Sequence, residues 1–119
     1  MTGNVAGASQ KLAGVSCVVT GAARGIGQAI AARFAREGAS VACLDVSEKR
    51  LEPTVTGLLG LGLQARGYVV DVAARDSLVQ ALDQIASDFG QPIGVLVNNA
   101  MWTRFQPLEE VDTETLERT

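Results

Sequence analysis

The stretch VVTGAARGIGQAIAARFAREG, Val18 to Gly38, opens as an apolar strand and continues as a helix. Ile26, Ile30 and Phe34 recur every four residues in the helix, and Gly38 is a good stop for it. Between strand and helix lie Gly21, Gly25 and Gly27. The first N–H groups of a helix have no partners within it, and its dipole is positive at that end. A strand that feeds a helix through such a turn therefore makes an anion site, provided that side chains stay clear. Gly21 is expected to permit the tight turn, and Gly25 to let the backbone approach phosphates. Gly27 is expected to bring the helix close to the sheet, and Ile26 to anchor the helix start in the core. Read alone, the same glycines also suit a turn built only for packing.

The surroundings favour the anion site. Four apolar runs, GVSCVVT, SVACLDV, GYVVDV and IGVLVNNA, are rich in Val, Ile and Leu and do not alternate cleanly with polar residues. This suits strands buried on both faces, as in a parallel sheet. Helical segments lie between them. Leu78, Leu82, Ile85 and Phe89 mark one face of a helix ending at Gly90. A weaker helix runs from Ser47 to about Leu59, with Pro53 either near its first turn or at a kink. Strand and helix alternate throughout, which predicts an α/β fold with right-handed crossovers. In an open parallel sheet the strand ends meet at one rim, where ligands bind. Asp45 ends the second run, eighteen residues after Gly27, where a carboxylate accepts hydrogen bonds from an adenosine ribose. Asp71 and Asn98–Asn99 end the third and fourth runs. Plain alternatives stand beside two of these: Asp45 as a solvated strand end, and Asp71 as a cap for the following helix.

Composition narrows the function classes. The 119 residues are 47% hydrophobic with 13 glycines, a globular composition of one domain or part of one. Ten basic and 13 acidic residues leave a net charge of −3 with no basic stripe, which argues against nucleic-acid binding. No apolar run has the length of a membrane span. The first ten residues read as a flexible tail without a secretory signal, and residues 11–119 as the domain proper. Cys17 and Cys43, each inside an apolar run, read as buried thiols in neighbouring strands. Without histidine, a zinc site is not expected. Unpaired cysteines and the lack of an export signal point to the cytoplasm.

TGAARGIG, LDV, DV and NNA, in this order and spacing, resemble the short-chain dehydrogenases/reductases over about Leu12 to Leu108. The glycine spacing Gly-x-x-x-Gly-x-Gly is similar to that family's and differs from the Gly-x-Gly-x-x-Gly of other dinucleotide folds. The resemblance implies a Rossmann-type doubly wound parallel sheet, here its first four strands in the order 3-2-1-4. It also implies a nicotinamide dinucleotide cofactor and hydride transfer between an alcohol and a ketone. By the same resemblance Gly21, Arg24, Gly25, Ile26 and Gly27 surround the cofactor's phosphates. Asp45 holds the adenosine ribose, Asp71 and Val72 meet the adenine, and Asn98 and Ala100 lie along the nicotinamide ribose. Asn99 mainly braces the sheet. A basic residue at Arg24 suits the 2′-phosphate of NADP, but a carboxylate at Asp45 repels it, so NAD is expected over NADP.

The sequence departs from the family at Met101, where glycine usually follows NNA, which bears on the nicotinamide end. Trp102 and Phe105 follow, as cover for the rim or as substrate contacts. The family's catalytic serine, tyrosine and lysine belong to its second half. Tyr68, the one tyrosine, lies within the third run and is followed four residues on by Val72, not lysine. No catalytic residue is therefore named. The fourth run would form an apolar sheet edge, which the family covers with a fifth strand. The chain is thus expected to be the cofactor-binding half of a longer oxidoreductase, with substrate and homo-oligomer state open. A noncatalytic dinucleotide-binding module, or a truncated product without activity, is the alternative. A methyltransferase binding S-adenosylmethionine fits less well, because of NNA and the gap between the first two glycines.

Overall fold

β1 (Ser16–Thr20) runs through the middle of the sheet and is buried at every position. The computed structural model describes residues 10–99. Within them the elements follow as α1 (Gly25–Arg36), β2 (Ser40–Asp45), α2 (Glu48–Gly60), β3 (Gln64–Val69), α3 (Arg75–Phe89) and β4 (Ile93–Val97). The four strands are parallel and lie in the order β3-β2-β1-β4. This is the α/β fold that the alternating pattern predicts, in the Rossmann-type strand order that the family resemblance implies. The flexible-tail reading falls almost entirely on residues outside the described ones, as do Ala100, Met101, Trp102 and Phe105.

Two cores flank the sheet. On one face Cys17, Val19, Val41 and Cys43 pack with Ala31 and Ala35 of α1 and Leu51 and Leu58 of α2. On the other, Val18, Ala42 and Leu44 pack with Ile85 of α3, joined by Leu78, Leu82, Phe89 and Tyr68. Alanines on α1 let that helix lie close to the sheet. Gly67 does the same for α2, since a Cβ there would come within 3.1–3.2 Å of Val55 and Leu51. Cys17 and Cys43 are free, buried and on adjacent strands. Burial pushes the Cys43 thiol up to about 11 and raises Cys17 as well, so both pack as small apolar groups.

The helix ends are chemically distinct. α3 stops at Gly90, which takes the left-handed conformation at φ 69°. Gly38, just past α1, has φ 96°. α2 is capped by Ser47, whose hydroxyl accepts from the Arg50 N–H at 3.2 Å. The helix runs on past Pro53, its sixth residue, which forgoes one bond to the preceding turn.

Three expectations need correction. The strands are not all buried on both faces: β3 and β4 are the sheet's edges, with Val69 55% and Leu96 51% exposed. β3 begins at Gln64, three residues before the apolar run, because an edge strand carries polar residues such as Gln64 and Arg66 that hydropathy does not mark. Ile26 does not anchor α1 in the core; it is 72% exposed. At the second position of α1 it faces away from the sheet, and the buried face is carried instead by Gly27, Ala31 and Ala35, with Ile30 and Phe34 beside them.

Tyr68 is tied to α3. Its hydroxyl donates to the Asp88 carboxylate at 2.7 Å, with Arg66 at 3.8 Å from the same oxygen and Gln84 donating to the other. Burial, with the carboxylate next in size, pushes the phenol up to about 12. The hydrogen bonds from Tyr68 and Gln84 lower Asp88 below its ordinary 3.8. The phenol's share of stability is therefore complete below pH 10 and is lost as pH rises toward 12. The carboxylate's share is present above pH 3.8 and is lost as pH falls through its lowered value. We expect Tyr68→Phe to flatten both limbs of the stability–pH profile, read as urea midpoints. Tyr68 is the only tyrosine, so its ultraviolet difference titration gives the folded value directly; a midpoint near 10 contradicts the assignment.

Candidate dinucleotide site

The parallel register brings the C-terminal ends of all four strands to one rim. Thr20 lies opposite Leu44, Val19 opposite Val97, and Asp45 opposite Val69. Gly21, Asp45, Asp71 and Asn98 each stand at or just past a strand end, so the topology gathers them along a single edge. Arg24, Gly25, Ile26 and Gly27 open α1 at the same rim.

The glycine junction is shaped by backbone needs. Gly21 and Gly25 take φ 64° and 62°, the left-handed region that side chains disfavour. A Cβ on Gly25 would meet nothing within 4 Å, so the space beside it is open. Gly27 is different. A Cβ there would collide with the Gly21 carbonyl oxygen, and would sit 2.5 Å from Asn99 Nδ2 and 2.9 Å from the Gly21 carbonyl carbon. Arg24 is the residue before the first turn of α1, in extended conformation, and makes no side-chain cap. The first turn has no acidic residue either. The positive end of α1 is thus left without a protein counter-charge in its own first turn.

Polar bonds hold the loop in place. Ala22 N–H donates to Leu44 O at 3.0 Å, tying the loop to β2. Asn99 Nδ2 donates to Gly21 O at 3.4 Å, linking the ends of β4 and β1. Asn99 N–H also donates to Thr20 Oγ1 at 2.9 Å. The Thr20 hydroxyl lies 3.4 Å from Val97 O and 3.3 Å from Asn98 Oδ1, so its proton has two acceptors within reach.

At the second strand end, Asp45 Oδ1 accepts from Ser47 N–H at 3.1 Å and lies 3.9 Å from Arg50. Both contacts fall on one oxygen and fix the carboxylate's orientation beside the rim. Asp71 is exposed and accepts from Ala73 N–H at 3.0 Å through its side chain. It does not cap α3, whose cap position is Ala74 with no side-chain bond. Val72 is half-buried beside it and Asn98 is exposed. Ala100 lies outside the described residues.

The sequence reading passed over Thr20, Gln28 and Thr54. Thr20 closes a run of apolar residues and is 2% exposed. Thr54 stands among Leu51, Val55 and Leu58 at helical spacing, a polar residue at a buried position, which was the available signal.

The model of the family described as short chain dehydrogenase matches residues 16–119. The chain belongs to the short-chain dehydrogenase/reductase family. Short chain dehydrogenase/reductase dpmpG of Macrophomina phaseolina is 42% identical over 112 residues, covering 90% of this chain and 62% of that protein. A crystallised short chain dehydrogenase from Mycobacterium smegmatis superposes with a TM-score of 0.84 at 33% identity, over 94% of this chain and 48% of its own. One from Burkholderia cenocepacia, solved in complex with NADP, gives 0.83 at 36%, over 92% and 44%. The chain thus spans between 44% and 62% of the length of these three relatives. The four-stranded sheet corresponds to the N-terminal part of short-chain dehydrogenase/reductase structures.

The glycine geometry has a direct consequence for substitutions. Gly25→Ala is expected to fold with a cost of about 1–2 kcal/mol, from the left-handed backbone alone. Gly27→Ala is expected to cost about 3 kcal/mol, because the added carbon meets backbone that cannot move aside cheaply. Urea unfolding of the two variants checks this; equal costs contradict it.

Proposed function

We propose that residues 11–119 are the cofactor-binding half of an NAD-dependent short-chain oxidoreductase that moves hydride between an alcohol and a ketone. The observation that carries this is the uncapped first turn of α1, opened by Gly21 and Gly25, with Asp45 at the end of the adjacent strand. The helix tip supplies N–H groups and positive potential for a pyrophosphate. Gly21, Arg24, Gly25, Ile26 and Gly27 would surround it. The exposure of Ile26 is in keeping with a residue beside a ligand. Asp45 would accept from the adenosine ribose hydroxyls, Asp71 and Val72 would meet the adenine, and Asn98 and Ala100 would lie along the nicotinamide ribose. The bound dinucleotide supplies the hydride chemistry.

NAD fits Asp45 better than NADP. Two unit charges 4 Å apart repel by about 1 kcal/mol even in bulk water, and by more beside a protein surface. Arg50, 3.9 Å from Asp45, offsets part of this but stands about half exposed. The Burkholderia relative was solved with NADP, so the preference rests on Asp45 and not on family membership.

A second reading, a noncatalytic dinucleotide-binding module, draws on Tyr68. That phenol is pushed up to about 12 and is committed to Asp88, the opposite of what a proton-transferring tyrosine needs. On either reading this chain binds the cofactor, and Tyr68 is not its proton-transferring residue. The buried free thiols Cys17 and Cys43 accord with work in the cytoplasm.

Calorimetry tests the proposal. We expect NAD to bind about tenfold more tightly than NADP. Asp45→Ala should weaken NAD by at least about tenfold and narrow that gap. Tighter NADP binding by the unchanged chain refutes the cofactor assignment.

A further inference from the structure

α1 and α2 are joined by a polar bridge that reaches the glycine loop. Thr54, on α2 and 6% exposed, places its hydroxyl 3.3 Å from the carbonyl oxygen of Ala23, to which it donates. The same hydroxyl oxygen accepts from Gln28 Nε2 at 3.0 Å. The order of donors matters here. A threonine hydroxyl has one proton and two lone pairs, and the amide nitrogen of Gln28 can only donate. Gln28 therefore occupies a lone pair and leaves the Thr54 proton for Ala23. Ala23 is 7% exposed and immediately precedes Arg24 and Gly25 at the tip of α1.

We propose that Thr54, oriented by Gln28, is a positioning residue for the pyrophosphate site: it fixes the Ala23 carbonyl and thereby the aim of the N–H groups that open α1. This rests on the dinucleotide reading above. Three anchors then hold the four-residue loop between β1 and α1 from different elements: Leu44 of β2 at Ala22, Asn99 after β4 at Gly21, and Thr54 of α2 at Ala23. Only the last is a side chain of α2. Without its donor, the Ala23 carbonyl is left unpaired in an apolar setting, and the peptide tilts to reach water. Ala23 and Arg24 share one peptide unit, so the tilt passes directly to the helix tip. The proposed adenine and ribose contacts, at Asp45 on β2 and Asp71 just past β3, belong to other elements and are not moved.

The test compares ligands with and without the pyrophosphate, by calorimetry on the 119-residue chain, with folding followed by circular dichroism. Thr54→Val keeps the shape and removes the hydroxyl; we expect about tenfold weaker NAD binding with adenosine binding unchanged. Thr54→Ser retains the donor and should bind NAD as the unchanged chain does. Equal NAD affinity in a folded Thr54→Val variant overturns the inference alone, as does an equal loss in Thr54→Ser. Failure of the unchanged chain to bind NAD overturns the dinucleotide reading and the inference with it. Should Thr54→Val not fold, Gln28→Met decides, since Gln28 is exposed. A loss of about threefold for NAD alone supports the positioning role, and no change overturns it.

Discussion

The missing Cβ at Gly27 is the constraint on which the rim depends. The first turn of α1, the end of β1 and the residue after β4 converge so closely there that a single added carbon would overlap the Gly21 carbonyl and crowd Asn99. The β1–α1 junction and Asn99 after β4, 78 residues on from Gly21, are thereby fixed relative to one another. The helix tip sits over the strand ends because nothing stands between them. Asn99 then bonds to the same Gly21 carbonyl that the contact exposes, so the close approach also satisfies a polar group that it would otherwise strand.

That convergence explains why the loop can be rich in glycine and still be well defined. Glycines at φ 64° and 62° lose more chain entropy on folding than other residues would. The loss is offset by bonds from outside the loop: Ala22 to β2, Gly21 to Asn99, and Ala23 to Thr54. Thr20 adds a further tie, accepting from Asn99 N–H at the buried end of β1. The backbone beside Gly25 is open on one side, and the loop is braced on the other. This is the arrangement that a preorganised anion site requires.

Much of this was legible in the sequence, and the remainder failed for identifiable reasons. The order of elements and the parallel sheet followed from four apolar runs separated by helical periodicity, whereas the strand order 3-2-1-4 followed from the family resemblance of the motifs at the strand ends. The face of α3 made by Leu78, Leu82, Ile85 and Phe89 followed from the same periodicity. The start of β3 was missed because Gln64 and Arg66 on an edge strand look like loop residues to a hydropathy reading. Ile26 was misplaced because it fits the four-residue spacing of Ile30 and Phe34. At a helix start, however, a residue one turn ahead of the core helps to line the rim and need not be covered by the sheet. Thr54 was overlooked because its partner, the Ala23 carbonyl, lies 31 residues away and belongs to the backbone, which carries no residue-type signal.

The charges at the rim are arranged along the strand order, and this restricts what ligand the site can suit. The tip of α1 offers positive potential with no acidic residue in its first turn. One strand over, Asp45 offers a carboxylate whose position is fixed by Ser47 and Arg50. A uniformly anionic ligand would gain at the first and be repelled at the second. A uniformly neutral one would leave the helix tip uncompensated. The match is a molecule that is anionic in its middle and presents hydroxyl donors a few ångströms away, as a diphosphate linked to an unmodified ribose does. A phosphate on that ribose would set charge against charge at Asp45, and Arg50 is too exposed to cancel the penalty. On the proposed dinucleotide reading, the backbone at the helix tip would favour the class of ligand, whereas the side chain at the end of β2 would discriminate within it.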